Sequence, residues 1–250
     1  YLTRVGGASA RGPVATFNHL PGAAIRARVL PSRGEIMATA DTAPTRDTSF
    51  NASLFRLAPH TPPVVLCDRV AHASTPLVTR EGRVFVSRGI AGPPPVDNTS
   101  KPRLTLREDA LSVDEVDPAT GATRVIHTWS GYLAFLAGAY HGEVVLYRVS
   151  PRGADLVGVN PDSGAVRVIL PYLLPYARDF SIDEAAGALV MQERHETDTR
   201  RWVIDRVDLA TGSRTRLYES ASMNLAPHVW PGDAVSYNPG SVSYTHLRAH

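Results

Sequence analysis

A glycine followed by an apolar, β-rich run recurs five times in this chain: GEIMATA (34–40), GRVFVSR (82–88), GEVVLYR (142–148), GALVMQE (187–193) and GDAVSYN (232–238). The intervals between those glycines are 48, 60, 45 and 45 residues. A second unit alternates with the first, a strand, a polar turn and another strand. It reads VDEVDPATGATRVI (113–126), LVGVNPDSGAVRVI (156–169) and IDRVDLATGSRTRL (204–217). The turns DPATG, NPDSG and DLATG align without a gap, so Gly121, Gly164 and Gly212 fill one slot. A tight reversal between strands needs a residue that tolerates positive φ, which glycine does at no steric cost. The Asp, Asn, Thr and Ser residues ahead of it hydrogen-bond their own backbone and favour the turn. A divergent copy, LFRLAPHTPPVVL (54–66), carries Pro62 in place of the glycine, and a fainter one spans 1–5 and 13–17.

Short period-two strands repeated about every 45 residues are the mark of a β-propeller, in which each blade is a four-stranded antiparallel sheet. The expected fold is all-β, with full blades near 22–67, 71–126, 130–170 and 176–218 and half-blades at 1–17 and 223–238. The whole of 1–240 is then one propeller domain, four full blades plus two partial ones. The start at Tyr1, with neither initiator Met nor signal peptide, and the odd tail favour a fragment of a larger ring over the alternative, a five-bladed ring closed by pairing of the two half-blades. The tail SVSYTHLRAH (241–250) matches nothing upstream, reads as non-native and is left out of the fold. One local signal disagrees, because DEAAGALVMQERHE (183–196) has a helix-favouring composition. Its alignment with GRVFVSR and GEVVLYR assigns it to a turn and a strand, since tertiary context overrides propensity.

The residues G-x-apolar strand, then strand-(D/N)-x-x-(T/S)-G-strand, together with DFSIDEAAGALVMQERH (179–195) and WVIDRVDLATGSRTRL (202–217), resemble the TolB-like and WD-repeat-like β-propellers of bacteria. The resemblance covers about 22–238 and is specific for architecture. It departs from the family where the usual Ser-Pro-Asp-Gly turn is replaced by Asp183-Glu184-Ala185-Ala186-Gly187. It implies a periplasmic or extracellular protein-interaction platform. The same blades also form the gating domain of prolyl-oligopeptidase-like serine peptidases.

Composition narrows the chemistry. With 43% hydrophobic and 20% charged residues over 250 positions, the chain can build a real core and is not a disordered tail. Of its 26 basic residues only Lys101 is a lysine, and the arginines are scattered, which argues against a nucleic-acid face. No apolar run has the roughly 18 residues of a membrane span. The single cysteine, Cys67, excludes an internal disulfide framework and a Cys-rich zinc site. No G-x-S-x-G elbow, H-E-x-x-H helix, P-loop or G-x-G-x-x-G cradle is present, so no catalytic, metal or cofactor residue is assigned. Carboxylate-free segments such as AIRARVL (24–30) and GYLAFLAG (131–138) count against a sugar-processing site in a central channel.

The long inserts DTAPTRDTSFNAS (41–53) and SRGIAGPPPVDNTSKPR (87–103) follow the second strand of successive blades and so project from one face. Loops on one face of a repeat scaffold are where binding concentrates. The ligand-face candidates are Arg88, Asp97, Lys101, Glu193, His195 and Asp198, the last three from the polar hairpin ERHETDTRR (193–201). The expected role is a non-enzymatic scaffold for a protein or peptide. The alternative is the gating propeller of a peptidase whose hydrolase domain lies outside this chain. The histidines His72, His127, His141 and His228 read as structural or exposed residues, and Trp129, Trp202 and Trp230 as packing residues between blades.

Overall fold

The computed structural model describes residues 25–42, 50–72, 74–91, 106–131, 133–174, 177–230 and 234–238, and the backbone of short strands at 2–3, 13–15 and 246–248. Among the described residues there are twenty-one strands and no helix. The chain divides into two compact units, 1–136 and 137–250.

The first unit opens with β1 (Leu2–Thr3) and β2 (Pro13–Ala15), which pair with each other. It then builds a meander from β3 (Arg26–Leu30), β4 (Glu35–Asp41), β5 (Ala52–Leu57) and β6 (Val64–Val70). A second meander follows, from β7 (Leu77–Val78), β8 (Val84–Ala91), β9 (Leu106–Val116) and β10 (Thr123–Ser130). The two meanders are not wholly separate, because Val70 pairs with Arg88 and the Ala71 amide donates to the Ser87 carbonyl. The cause is the shortness of β7. Pro76, which has no N–H to give a ladder, stands directly before it, and β7 covers only Val84 and Phe85 of β8. The chain at 70–71 takes up the edge of β8 that β7 leaves uncovered. Leu30, Met37 and Leu54 of the first meander share one core with Val84, Val86 and Val116 of the second.

The division between units falls within β11 (Leu133–Tyr140), which heads the sheet β11–β12–β13–β14 with β12 (Glu143–Ser150), β13 (Gly153–Val159) and β14 (Val166–Leu173). The next sheet runs in chain order through β15 (Arg178–Asp183), β16 (Ala188–Arg194), β17 (Trp202–Asp208) and β18 (Arg214–Ser220). The last comprises β19 (His228–Trp230), β20 (Ala234–Tyr237) and β21 (His246–Arg248). β21 belongs to the tail that the sequence reading left out of the fold, yet its backbone pairs with β20 from Val235 to Tyr237. The stretch 183–196, with its helix-favouring composition, forms the end of β15, a turn and β16, and its helical composition is overridden by pairing on both edges.

The three aligned turns adopt one geometry. Gly121, Gly164 and Gly212 have φ of 77°, 72° and 72°, in the left-handed region expected of that slot. In each turn the glycine amide donates to the carbonyl of Asp117, Asn160 or Asp208 at 2.8 Å. The side chain of that residue accepts from the turn's own amides, at 2.7 Å from Ala119, 2.9 Å from Asp162 and 2.7 Å from Thr211. Two of these glycines also meet the outer strand of the preceding sheet, since a Cβ on Gly121 or Gly212 would strike the carbonyl oxygen of Leu66 or Ile169. Arginines fasten the same turns, Arg56 to the Pro118 carbonyl and Arg167 to the Leu209 carbonyl, both at 2.9 Å. Within each unit one of the repeated turns thus packs against the outer strand of the meander before it.

Candidate functional site

In a strand, alternate residues share a face, and directly paired residues of neighbouring strands share it too. Glu193 and Met191 lie on one face of β16, and Met191 pairs with Asp205 of β17. Asp205 pairs with Arg216 of β18, and Val207 with Arg214. Register alone therefore brings Glu193, Asp205, Arg214 and Arg216 onto one face of the β15–β18 sheet.

Two carboxylates are buried there, Glu193 at 1% and Asp205 at 0% relative exposure. Their charge is met by β18. Arg214 Nε donates to Asp205 Oδ2 at 2.7 Å, and its Nη2 bridges Asp205 and Glu193. Arg216 Nε donates to Asp205 Oδ1 at 2.8 Å, and its Nη2 to Glu196 Oε2 at 2.8 Å. The remaining Glu193 oxygen, Oε1, accepts the Leu174 amide at 2.6 Å. The Leu174 carbonyl accepts in turn from the buried Tyr147 hydroxyl at 2.7 Å, so the end of β14 is tied to this face. Burial pushes the Glu193 carboxyl above the usual carboxylate range, against the pull of the Leu174 amide and Arg214. The Glu196 carboxyl is held down to about 2, chiefly by its hydrogen bond from Arg216.

Above these groups lies an open cleft of about 590 Å³, lined by Tyr172, Leu173, Leu174, Glu193, Arg194, Glu196, Asp205, Arg214 and Arg216. Tyr172 stands at its rim with 85% of its surface exposed. The opposite face of the sheet is closed. Gln192 donates to the Met223 carbonyl and accepts the Leu225 amide, each at 2.7 Å, and Trp202, Ile204 and Leu225 form a core beside Tyr218 and Tyr237.

The six candidates from the sequence meet different fates. Glu193 is on the floor of the cleft. His195 stands just past β16, where its Nδ1 accepts the amides of Thr197 and Asp198 at 3.1 and 3.2 Å and shapes the hairpin. Asp198 is tied to Arg200 at 3.1 Å in the same hairpin. Arg88 lies inside the first unit at 8% exposure, where Nη1 donates to Asp114 at 2.7 Å and Nε to the Asp68 carbonyl at 2.9 Å. Asp97 and Lys101, with most of both long inserts, lie outside the described residues. The structure therefore brings together Glu193 and the 195–201 hairpin, and within the first unit it pairs Arg88 with Asp114. Sequence reasoning passed over Asp205, Arg214, Arg216 and Tyr172. The first three sit at fixed offsets from Gly212, which was the available signal. Tyr172, at the end of an outer strand, had none.

Among the described residues no three His, Cys, Asp or Glu side chains converge as a metal ion requires, and no helix is long and apolar enough to cross a membrane. The guanidinium groups of Arg178 and Arg194 lie over the Trp202 ring, 5.0 and 5.2 Å from its centre. His72 contacts Asp41 at 2.9 Å, and His228 shares a hydrogen bond with the Ser181 hydroxyl at 3.0 Å.

Meanders of four strands, packed sheet to sheet through a repeated turn, define the β-propeller class, and solved structures agree. TolB from Acinetobacter baumannii superposes with a TM-score of 0.62 at 11% identity, over 90% of this chain and 51% of that one. A chain of the nidogen/laminin complex gives 0.60 at 13% identity, over 89% of this chain and 74% of that one. The β-propeller domain of the Trilobed protease from Pyrococcus furiosus gives 0.56 at 10% identity, over 93% and 66%. The chain thus has a β-propeller fold like that of TolB and spans about half the length of that TolB chain. No family model matches it, and no curated protein is significantly similar in sequence.

Proposed function

We propose that this chain is a TolB-like propeller scaffold, periplasmic or extracellular, that binds a protein or peptide beside the loops joining the second and third strands of its sheets. The observation that carries this reading is the open cleft at the foot of the 195–201 hairpin, which is one of those loops. The cleft offers what a peptide needs: an exposed aromatic rim, apolar stretches at Leu173 and Leu174, and charged groups of both signs. Aromatic and arginine side chains are also the residue types most enriched where binding energy concentrates.

Panning a random-peptide display library against the chain tests this. The expected result is a set of peptides whose retention falls at least about tenfold with Tyr172→Ala. Failure to enrich any peptide, or enrichment indifferent to Tyr172 and to the 195–201 hairpin, would overturn it. The likeness to the protease propeller keeps a second reading in view, that of a gating domain for a serine peptidase. A G-x-S-x-G motif roughly 100 or more residues further along the same gene would decide for that reading.

A further inference from the structure

Arg214 and Arg216 stand two residues apart on one face of β18, and both line the cleft. Arg214 is held through Nε and Nη2 by the buried Asp205 and Glu193, Arg216 through Nε by Asp205 and through Nη2 by Glu196, and each leaves Nη1 without an acceptor among the described residues. Guanidinium groups fixed in this way are pre-organised, because the ordering cost of a flexible side chain is met before any ligand arrives. The partners of the two arginines differ in kind. Glu193 and Asp205 are buried and part of the sheet, whereas Glu196 is 57% exposed at its side chain and lies in the hairpin loop. Glu196 is thus the one carboxylate of the cluster that can leave without breaking a strand pair. It already shows what Arg216 accepts, a single carboxylate arriving from the solvent side.

We propose that the cleft is a carboxylate-capture site, in which a carboxylate of the bound peptide replaces Glu196 on Arg216, reaches the unspent Nη1 of Arg214 and Arg216, and is covered by the Tyr172 ring. The inference rests on the peptide reading above and gives that peptide its chemistry, an acidic one. The displaced Glu196 passes into water, and no covalent bond changes. Because the protein's own glutamate competes for the site, weakening that competitor must strengthen the ligand, an effect that a merely structural ion pair would not produce.

The test uses the whole chain with nitrogen-labelled arginines and three small probes: N-acetylglutamine, which carries only an α-carboxylate; N-acetylglutamate α-amide, which carries only a side-chain carboxylate; and N-acetylglutamine amide, which carries neither. The Nε–H signals of Arg214 and Arg216 are expected to move with one or both charged probes and to stay still with the neutral one. The signal of Arg167, which is paired with Glu143 outside the cleft, should not move with any probe. Which charged probe acts tells a peptide's C-terminus from an acidic side chain. Glu196→Gln should tighten binding several-fold, and Arg216→Gln should weaken it about tenfold or more. Glu196→Gln leaves every strand pair in place and so reports even if Arg216→Gln unfolds the sheet. Equal response to all three probes, response to none, or weaker binding in Glu196→Gln would overturn the inference. Display peptides that bind without any dependence on a carboxylate would overturn it too while leaving the scaffold reading intact.

Discussion

The β7–β10 and β15–β18 sheets carry a buried charge at the same repeat position and neutralise it in opposite ways. Six residues after the turn glycine stand Arg88 in one sheet and Glu193 in the other, and seven before the next turn glycine stand Asp114 and Asp205. In the first sheet the position supplies a cation, so Arg88 and Asp114 neutralise each other within the sheet, and Thr123 only accepts a further hydrogen bond at 3.3 Å. In the second it supplies another anion. The charge must come from the outer strand, and the residue at the Thr123 position is Arg214, followed on the same face by Arg216. The β11–β14 sheet solves the problem a third way, with Arg148 at that position gripping Asp155 directly across the strand pair at 2.6 and 2.9 Å. A repeat can keep its backbone and change the sign of a buried group, provided a neighbouring strand changes with it. Where the compensating cations sit on an outer strand, they also face a cleft.

The largest effect should follow removal of Arg214. Arg214→Thr gives the second sheet the residue of the first without its cation and leaves two carboxylates buried together, a loss of about 3–5 kcal/mol in chemical denaturation. Arg88→Ala strands only one carboxylate, Asp114, near the solvated Asp68, and should cost about 2–3 kcal/mol. If the two losses are equal, the contrast between the sheets is wrong. The double change Glu193→Arg with Arg214→Thr rebuilds the Arg88, Asp114, Thr123 pattern in the second sheet. It should recover more than half of what Arg214→Thr alone loses, seen as a coupling energy of about 1–3 kcal/mol in a double-mutant cycle. Additive losses would show that the two positions do not exchange roles.

Much of this architecture was legible because turns are local. The slot shared by Gly121, Gly164 and Gly212 needs only its own five residues to be recognised, and all three turns close in one geometry. The strand at 188–194 was legible only through alignment, since its composition alone favours a helix. The site was harder to read. Glu193 was picked out from the polar hairpin ERHETDTRR, but its partners come from β17 and β18, and they share its face only once the strands pair, with Asp205 opposite Arg216 and Val207 opposite Arg214. Arg88 was read as a ligand-face candidate because it stands in the long insert 87–103. Its burial follows from Asp114, which arrives 26 residues later in the chain. The joining of β6 to β8 likewise depended on how little of β8 the short β7 would cover.

Two carboxyl groups of the one cleft should respond to pH with opposite signs, which sharpens the comparison between a buried and a solvated neighbour of the same arginines. Glu193 has its folded pKa raised by burial, so the folded form binds that proton more tightly than the unfolded one. Its stabilising contribution is present below about 4.5 and is lost as pH rises through the raised value. Glu193→Gln should therefore match the wild type in acid and gain on it as pH rises, with the difference in unfolding free energy levelling off above the folded pKa. Glu196 behaves in the reverse sense. Its contribution is present above 4.5 and disappears as pH falls toward about 2. Its exposure keeps the effect small, so Glu196→Gln should cost under about 1 kcal/mol at neutral pH and nothing near pH 2. Titrating the stability of both variants over one pH series checks the pair. If the two difference curves slope the same way, the assignment of a buried floor and a displaceable rim to this cleft fails.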